Sequence, residues 1–477
     1  MKIESFYRPI WIGLLVVTVL LIATALAAAS QTTGTAFRIP DTGQTDCYGA
    51  DANTGGPQAC PAPGERGYGQ DAQYRINSPH YVDNGDGTVT DTVTGLMWQK
   101  GFTRNVSFGG APIVAESSDT GGYRDWRVPT IKELYSLMDF KGSTGLARPE
   151  SRYAPSDAVP FIDTNAFDFE YPSTNRYIDA QYLTSTAYTG LAMGQRAFFG
   201  VNFADGRIKG YPQRGRRDGG GWYLRLVRGN PAYGKNDFHN NGDGTIADRA
   251  TGLQWMKADS GDAVLRAHLH NTRYMDGRMD WPEALTFCEG LSLGGKSDWR
   301  LPNAKELQSI VDYSRSPEAT HSAAIDPVFS ATEITDEAGK PDFPGYWSST
   351  THLDGRVKGA SAVVVYFGEA LGTGPNGRGM GGRPPMGDGG FGGDRMGPPP
   401  GGGMFGSGRP PGGNMGPPPG MSSASASSGD VIDVHGAGAQ RSDPKTGDAE
   451  SYPVYGHGPQ GDVQRVYNYV RCVRTAG

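Results

Sequence analysis

Two stretches of the chain repeat the same alternation of turn residues and strand residues. Residues 83–100, DNGDGTVTDTVTGLMWQK, match residues 240–257, NNGDGTIADRATGLQWMK. In each stretch Asn-Gly-Asp-Gly precedes alternating polar and apolar positions, and a Thr-Gly turn precedes an apolar run that includes Trp. Turn residues on both sides of an alternating run are typical of β-hairpins. Each stretch therefore predicts a hairpin.

A helical pattern follows a short strand in a second pair of matching stretches. Residues 125–139, DWRVPTIKELYSLMD, match residues 298–312, DWRLPNAKELQSIVD. Asn303 has a side chain that can cap the first turn of a helix. The apolar positions after it recur at helical spacing and share one face: Leu307, Ile310 and Val311.

Another helix is predicted in only one of the two regions. Residues 281–291 carry Pro282 in the first turn, and their apolar residues face one side: Ala284, Leu285 and Cys288. The stretch 112–121 stands at the corresponding place, but it is polar and rich in glycine. It does not predict a convincing helix.

Four pairs of blocks recur in the same order, with loops of different length between them. Besides the two pairs above, YLTST at 182–186 matches YWSST at 346–350, and YLRLVR at 223–228 matches YVRCVR at 469–474. The chain therefore holds two copies of one domain. We place the copies at residues 76–229 and 236–477. Stretches 198–203 and 362–367 and the closing blocks predict strands. The predicted class is α+β, with short antiparallel strands, one or two helices in each copy and long loops.

The second copy is interrupted by a segment of different composition. Residues 372–429 contain 22 glycines and 11 prolines among 58 residues, without a glycine at every third position. This excludes a collagen helix and predicts a disordered insertion. The remainder is globular in composition, because aromatic residues make up 10% of the chain. The net charge of −6 speaks against a uniformly basic nucleic-acid-binding protein.

The N-terminal residues predict export. Lys2 and Arg8 precede an apolar run over residues 10–29 that ends in small residues, so residues 1–29 are predicted to be a cleaved signal peptide. An uncleaved membrane anchor is the alternative, since 20 residues can span a bilayer. Residues 31–75 then form a cysteine-containing leader. We expect a location in the periplasm, at the cell surface or in the medium.

The repeat selects one pairing of the four cysteines. An even number of cysteines in an exported chain predicts disulfides. The first copy has Leu226 at the position of Cys472 and lacks a cysteine helix corresponding to Cys288. Because both partners are missing together, we expect a Cys288–Cys472 bond. A Cys47–Cys60 bond is then left for the leader.

Together these blocks resemble the C-terminal domain family of the Legionella collagen-like adhesin. They are NGDGTVxDxxTGLMW, GxxDWRLPNxxEL, YWSST and the final YVRCVR. The resemblance covers about residues 31–371 and 430–477, and it implies a C-type-lectin-like fold in each copy. The predicted bond between a helix cysteine and a last-strand cysteine is similar to that fold's usual bridge. The family's adhesin member binds sulfated glycosaminoglycans and trimerises through collagen repeats, which this chain lacks.

Metal, cofactor and catalytic sites are not predicted. The Asn-Gly-Asp-Gly turns lack the ligand spacing of an EF-hand loop. His268 and His270 have no evident third ligand, so we expect surface histidines. Serine-nucleophile, phosphate-loop and zinc-protease motifs are absent from the sequence. We therefore expect a protein that is not an enzyme and has no cofactor.

Six recurring charged residues are expected to form ion pairs and turn bonds: Asp125, Arg127, Glu133, Asp298, Arg300 and Glu306.

The strongest candidate site is a local excess of positive charge in an acidic protein. Its basic residues are Arg207, Lys209, Arg214, Arg216 and Arg217. Arginine side chains suit sulfate and carboxylate groups. We predict a non-enzymatic surface recognition or adhesion protein that binds polyanionic, sulfated glycans there. The alternative function is an envelope scaffold whose Gly/Pro-rich insertion contacts protein partners, and the alternative reading of the basic residues is a solvated loop.

Overall fold

The computed structural model describes residues 36–146, 151–173, 176–215, 220–269, 272–355, 357–374 and 431–476. The leader has two short paired strands, β1 (Cys47–Tyr48) and β2 (Pro57–Gln58). The first copy contains β3 (Tyr81–Asp83), β4 (Thr88–Asp91), β5 (Leu96–Gln99), β6 (Thr103–Val106), α1 (Ala111–Glu116), α2 (Ile131–Tyr135), β7 (Gln181–Ala192), β8 (Gln195–Asn202), β9 (Arg207–Pro212), β10 (Trp222–Leu224) and β11 (Val227–Gly229).

The second copy repeats this order with additional short strands. It contains β12 (Phe238–Asn240), β13 (Thr245–Asp248), β14 (Leu253–Met256), α3 (Trp281–Glu289), α4 (Ala304–Ser309), α5 (Pro317–Thr320), β15 (Ile334–Thr335), β16 (Pro341–Asp342), β17 (Gly345–His352), β18 (Ser361–Tyr366), β19 (Leu371–Gly372), β20 (Ile432–Asp433), β21 (Gln440–Pro444), β22 (Val454–His457), β23 (Asp462–Gln464) and β24 (Val473–Thr475). The predicted α+β class is confirmed.

Each copy is closed by a four-stranded antiparallel sheet that includes its predicted hairpin. The first sheet has the order β11-β5-β4-β3, and the second has the corresponding order β24-β14-β13-β12. Trp98 on β5 and Trp255 on β14 are fully buried and occupy equivalent positions. The last strand of each copy thus returns to its first hairpin.

An eight-stranded sheet joins the two copies. Its order is β17-β18-β21-β9-β8-β7-β10-β6, so the second copy supplies the first three strands and the first copy the other five. The junction is the antiparallel pair β21–β9, where Gln440 lies opposite Ile208. Outward from this junction, equivalent strands follow in the same order on both sides. The copies therefore meet as the subunits of a twofold-symmetric dimer do, through one self-complementary surface.

The predicted helices form, and each copy contains one short helix that the sequence did not predict, α1 in the first copy and α5 in the second. The Asn303 side chain accepts the Glu306 backbone N–H and caps α4, as predicted. The expectation of no convincing helix at 112–121 was wrong, because α1 is helical in this region. This helix is only six residues long, and its apolar residues are not confined to the buried face of Ala111 and Ala115, so the sequence shows no helical period.

Two disulfides join Cys47 to Cys60 and Cys288 to Cys472, which is the pairing predicted from the repeat. The second bond links α3 to the segment before β24. On the chain-entropy model, closing a loop of 184 residues stabilises the folded state by about 5 kcal/mol. Leu226, at the corresponding place in the first copy, packs in an apolar cluster with Ala115.

Most of the predicted insertion lies outside the described residues, but its flanks are ordered. Gly372 lies in β19, where it pairs with Ile432 of β20. Thr373 is buried, and its backbone N–H donates to the Gly461 carbonyl. The folded domain therefore extends beyond the predicted start of the insertion at residue 372. Residues 375–430, like the predicted signal segment, are outside the described ranges.

Candidate functional site

Two of the five predicted basic residues are buried in ion pairs. Lys209 Nζ lies 2.8 Å from Asp205 Oδ2, and its side chain is 7% exposed. The Arg207 guanidinium contacts the Asp354 carboxylate and also donates to Ser442 Oγ at 2.8 Å. The side chain of Arg207 is 13% exposed. Both cations are thus neutralised within the protein, and neither belongs to an exposed basic surface.

These ion pairs belong to a charged cluster at the junction of the two copies. His352 Nδ1 lies 3.3 Å from Asp354 Oδ2, and His435 Nε2 lies 3.0 Å from Asp462 Oδ1. Burial opposes ionisation of Asp354, but the charges of His352 and Arg207 outweigh it and hold the pKa of Asp354 well below its usual range. The carboxylates of the cluster, together with Arg207 and Lys209, line a cavity of about 190 Å³. Of these pairs, Arg207–Asp354 crosses the junction, and together with the Arg207–Ser442 hydrogen bond it links the two copies.

The exposed basic residues lie at the end of the β8–β9 pair. Arg214 follows β9 and is exposed, whereas Arg216 and Arg217 lie outside the described residues. Sequence reasoning missed Arg196, which is exposed on β8 at the same end. The Gln213 backbone N–H donates to the Arg196 carbonyl at 3.0 Å, which brings the two arginines to one end of the sheet. Neither guanidinium is in an ion pair with a residue that the structure describes.

The six recurring charged residues form the predicted ion pairs. Arg300 makes two hydrogen bonds to Glu306, at 2.7 and 2.6 Å, and Arg127 contacts Glu133 in the same way. The closing strands complete the arrangement, since their arginines hold the two aspartates: Arg228 with Asp125 and Arg474 with Asp298, each at 2.7 Å. These contacts fix the corner between strand and helix.

Arg225 and Arg471 have a related structural role. Each is fully buried and donates to three backbone carbonyls, those of Arg471 belonging to Met256, Lys257 and Ser330. Burial lowers the pKa of Arg225. In the loops around the last strand of each copy, these guanidinium groups donate the hydrogen bonds that backbone N–H groups would otherwise donate to the carbonyls.

In the Asn-Gly-Asp-Gly turns, the aspartate carboxylate accepts hydrogen bonds from within the turn itself. Asp86 Oδ1 accepts both the Thr88 backbone N–H, at 3.0 Å, and the Thr88 hydroxyl, at 2.6 Å. Asp243 holds Thr245 in the same way in the second copy. Among the residues that the structure describes, no group of three or more His, Cys, Asp and Glu side chains could hold a metal ion. Of the two histidines considered above, His270 lies outside those residues.

A groove of about 330 Å³ opens on the second copy, between the end of β15 and the segment before β24. Half-buried rings line it: Tyr274, Phe343, Tyr452 and Tyr467. The Tyr274 and Tyr467 rings pack edge to face, with centroids 4.8 Å apart. The sequence did not indicate this groove, because its aromatic residues come from four separate segments.

The groove carries more acidic than basic side chains. Asp276 pairs with Arg278 at 2.8 Å, and Glu337 pairs with Arg465 through two contacts. Glu333 and Glu369 have no such partner among the described side chains. Burial raises the pKa of Glu369; the charge of Lys340 opposes this, and Asp336 adds to it. The lining has an uncompensated negative charge.

Comparison with known families gives one result. Residues 87–228 and 244–382 match the model of the Lcl C-terminal domain, and the two matches cover more than half of the chain. No curated protein and no solved structure matches the chain. The second match ends before β24, which completes the second copy in the structure. The C-type-lectin-like architecture stays a prediction.

No helix in the described ranges is long and apolar enough to cross a membrane.

Proposed function

Because the chain belongs to the Lcl C-terminal domain family and carries that domain twice, we propose that this adhesion-related surface protein attaches to polyanionic glycans through exposed arginines of its first copy. The observation that supports this site is the position of Arg196 and Arg214 at one end of the shared sheet, both exposed and without an acidic partner among the described residues. Guanidinium groups form paired, charge-assisted hydrogen bonds with sulfate and carboxylate oxygens. Arg216 and Arg217 adjoin Arg214 in sequence and add charge to the same connection.

The proposed site differs from the one that the sequence indicated. Arg207 and Lys209 are assigned a structural role, because a glycan would have to displace Asp354 and Asp205 to reach them. Separating a buried ion pair leaves an uncompensated charge and is costly. The glycan therefore contacts the end of the β8–β9 pair that carries Arg196 and Arg214, and not the opposite end, where Arg207 begins β9.

The protein acts by binding and not by catalysis in this proposal. All four cysteines are in disulfides, so none of them supplies a reactive thiol. The disulfides and the family fit a surface or secreted location.

Heparin-affinity chromatography of the mature protein tests the proposal. The variant R196A/R214A should elute at a clearly lower salt concentration than the wild type, because exposed charge contacts are screened by salt. The control K235A/K296A removes two exposed positive charges elsewhere on the surface. Equal elution of R196A/R214A, R196A/R214A/R216A/R217A and the control would contradict the proposal.

A further inference from the structure

The groove of the second copy has the size and lining of a small-molecule site. Its volume of about 330 Å³ falls at the lower end of the range of ligand pockets. Such pockets combine apolar and aromatic walls with a few polar groups that orient the ligand. Here the rings of Tyr274, Phe343, Tyr452 and Tyr467 form the apolar wall, and each is half-buried.

The existing contacts hold this wall in place. The Arg278 guanidinium lies 4.6 Å from the Tyr274 ring centroid and is fixed by Asp276. On the other side, Arg465 lies 5.5 Å from the Tyr366 ring centroid and is fixed by Glu337. Both arginines are therefore already paired with a carboxylate. They are poorly placed to bind an external anion.

The excess of negative charge in the groove favours a positively charged ligand. Four carboxylates and two guanidiniums line it, and the two carboxylates without a guanidinium partner are Glu333 and Glu369. A sulfated or carboxylated ligand would place like charges together in a partly desolvated space, which is unfavourable. A ligand with a protonated amine would compensate the excess charge and make charge-assisted hydrogen bonds. A cation over an aromatic face gains further energy.

We propose that this groove binds a protonated amino sugar, such as a glucosamine unit of a deacetylated surface glycan. The apolar C–H face of the sugar ring packs on the aromatic rings, its amine contacts Glu333 or Glu369, and its hydroxyls donate to the remaining carboxylate oxygens. The groove offers several carboxylate acceptors and several aromatic rings. A sugar can use both, because it has several hydroxyl groups and an apolar face. A lysine side chain would use only one or two of these groups.

This site is independent of the glycan-binding end proposed above. The groove lies in the second copy and is acidic, whereas Arg196 and Arg214 lie in the first copy and are basic. The two sites would therefore take ligands of opposite charge. Loss of heparin retention in R196A/R214A bears only on the first, and calorimetry with an amino sugar bears only on the second.

Isothermal titration calorimetry with the mature protein at about pH 6 tests the inference. The probes are a glucosamine tetramer, an N-acetylglucosamine tetramer and tetralysine. The glucosamine tetramer should bind about tenfold more tightly than the acetylated one, since acetylation removes the charge, and more tightly than tetralysine. E333Q and E369Q should each weaken its binding several-fold, and Y274L should do the same by removing a ring.

E116Q is the matched control, because it removes one exposed carboxylate from the first copy, outside the groove. Circular dichroism and the thermal midpoint of each variant establish that it is folded. Equal binding of the two sugar tetramers, tighter binding of tetralysine, or affinities of E333Q and E369Q equal to that of E116Q would each overturn the proposal.

Discussion

Lys132 and Lys305 occupy the same position in the two copies, and each donates a hydrogen bond to the end of the other copy's helix. Lys132 Nζ lies 2.7 Å from the Ser309 carbonyl oxygen, and Lys305 Nζ lies 2.9 Å from that of Ser136. Ser136 and Ser309 are themselves equivalent. Such an exchange of equivalent contacts is characteristic of a twofold interface. The duplicated chain has therefore kept, within one molecule, the contacts of a symmetric pair.

The two lysines differ in what else they hold, and this predicts unequal effects of replacing them. Lys132 also donates to the Gly234 carbonyl and to Asn236 Oδ1, but it is only half-buried. Lys305 also donates to the Asp41 carbonyl of the leader at 2.9 Å, and it is almost fully buried. The variant K305M leaves two carbonyls without this donor and should lower the free energy of unfolding by about 2–4 kcal/mol. K132M, at a half-buried position, should cost less. Urea unfolding measures both, and a smaller loss for K305M than for K132M would contradict the interpretation.

The ion pairs of the two strand-to-helix corners provide a second matched comparison. Arg300 and Glu306 are 7% and 0% exposed, whereas Arg127 in the equivalent pair is 36% exposed. The leader accounts for this difference, since the Tyr74 ring lies 5.6 Å from the Arg300 guanidinium. Removing one member of a buried pair costs about 3–5 kcal/mol, because the other charge stays buried. We expect E306Q to destabilise the protein markedly and E133Q to do so much less. Thermal unfolding measures both variants. Equal decreases of the thermal midpoint in E306Q and E133Q would show that the leader does not change the contribution of this ion pair to stability.

The pH dependence of stability should reflect Asp342. Burial raises the pKa of this carboxyl to about 8, although hydrogen bonds from the Glu369 and Phe343 backbone act in the opposite direction. The folded protein therefore retains a proton that the unfolded chain releases at about pH 4. The resulting stabilisation is fully present below about pH 4 and is lost as the pH rises through about 8.

The variant D342N stays neutral and should flatten the decline in unfolding free energy between about pH 5 and pH 8. Asp71 and Asp433, whose pKa values burial raises to about 7, act in the same direction, so part of the decline should remain. Urea unfolding at several pH values measures the slope. An unchanged slope in D342N would show that Asp342 ionises normally.

Replacing residues 375–430 with a short turn should leave the second copy folded. Strands β19 and β20 pair on both sides of this segment, with Leu371 opposite Asp433. A turn of a few residues can therefore close the loop, and the shorter loop should stabilise the protein by on the order of 2 kcal/mol. A fall in the thermal midpoint would contradict this.

The same variant distinguishes glycan adhesion from the alternative function as an envelope scaffold. Adhesion should survive the replacement, whereas binding of scaffold partners through the insertion should be lost.

Much of the fold could be predicted because its signals are local or repeated. Alternation around the Asn-Gly-Asp-Gly turns indicated the hairpins, and the cap and period after Asn303 indicated α4. Comparing the copies paired Cys288 with Cys472, although 184 residues separate them. Helix α1 was missed because six residues that bury two alanines carry almost no periodic signal.

The candidate sites depended on contacts between distant segments. From the sequence, Arg207 and Lys209 belong to a basic run, but tertiary structure places Asp354 beside Arg207, 147 residues further along the chain, and buries both cations. Likewise Arg196 joins Arg214 only through the register of β8 and β9.

The sequence by itself determined the duplication, the elements of each copy and the cysteine pairing, because these depend on local periodicity and on comparing one copy with the other. Only the tertiary structure decided which charges are exposed and which rings line the groove. The charge of a side chain is a property of its residue type, but its partners and its burial depend on residues that folding brings near.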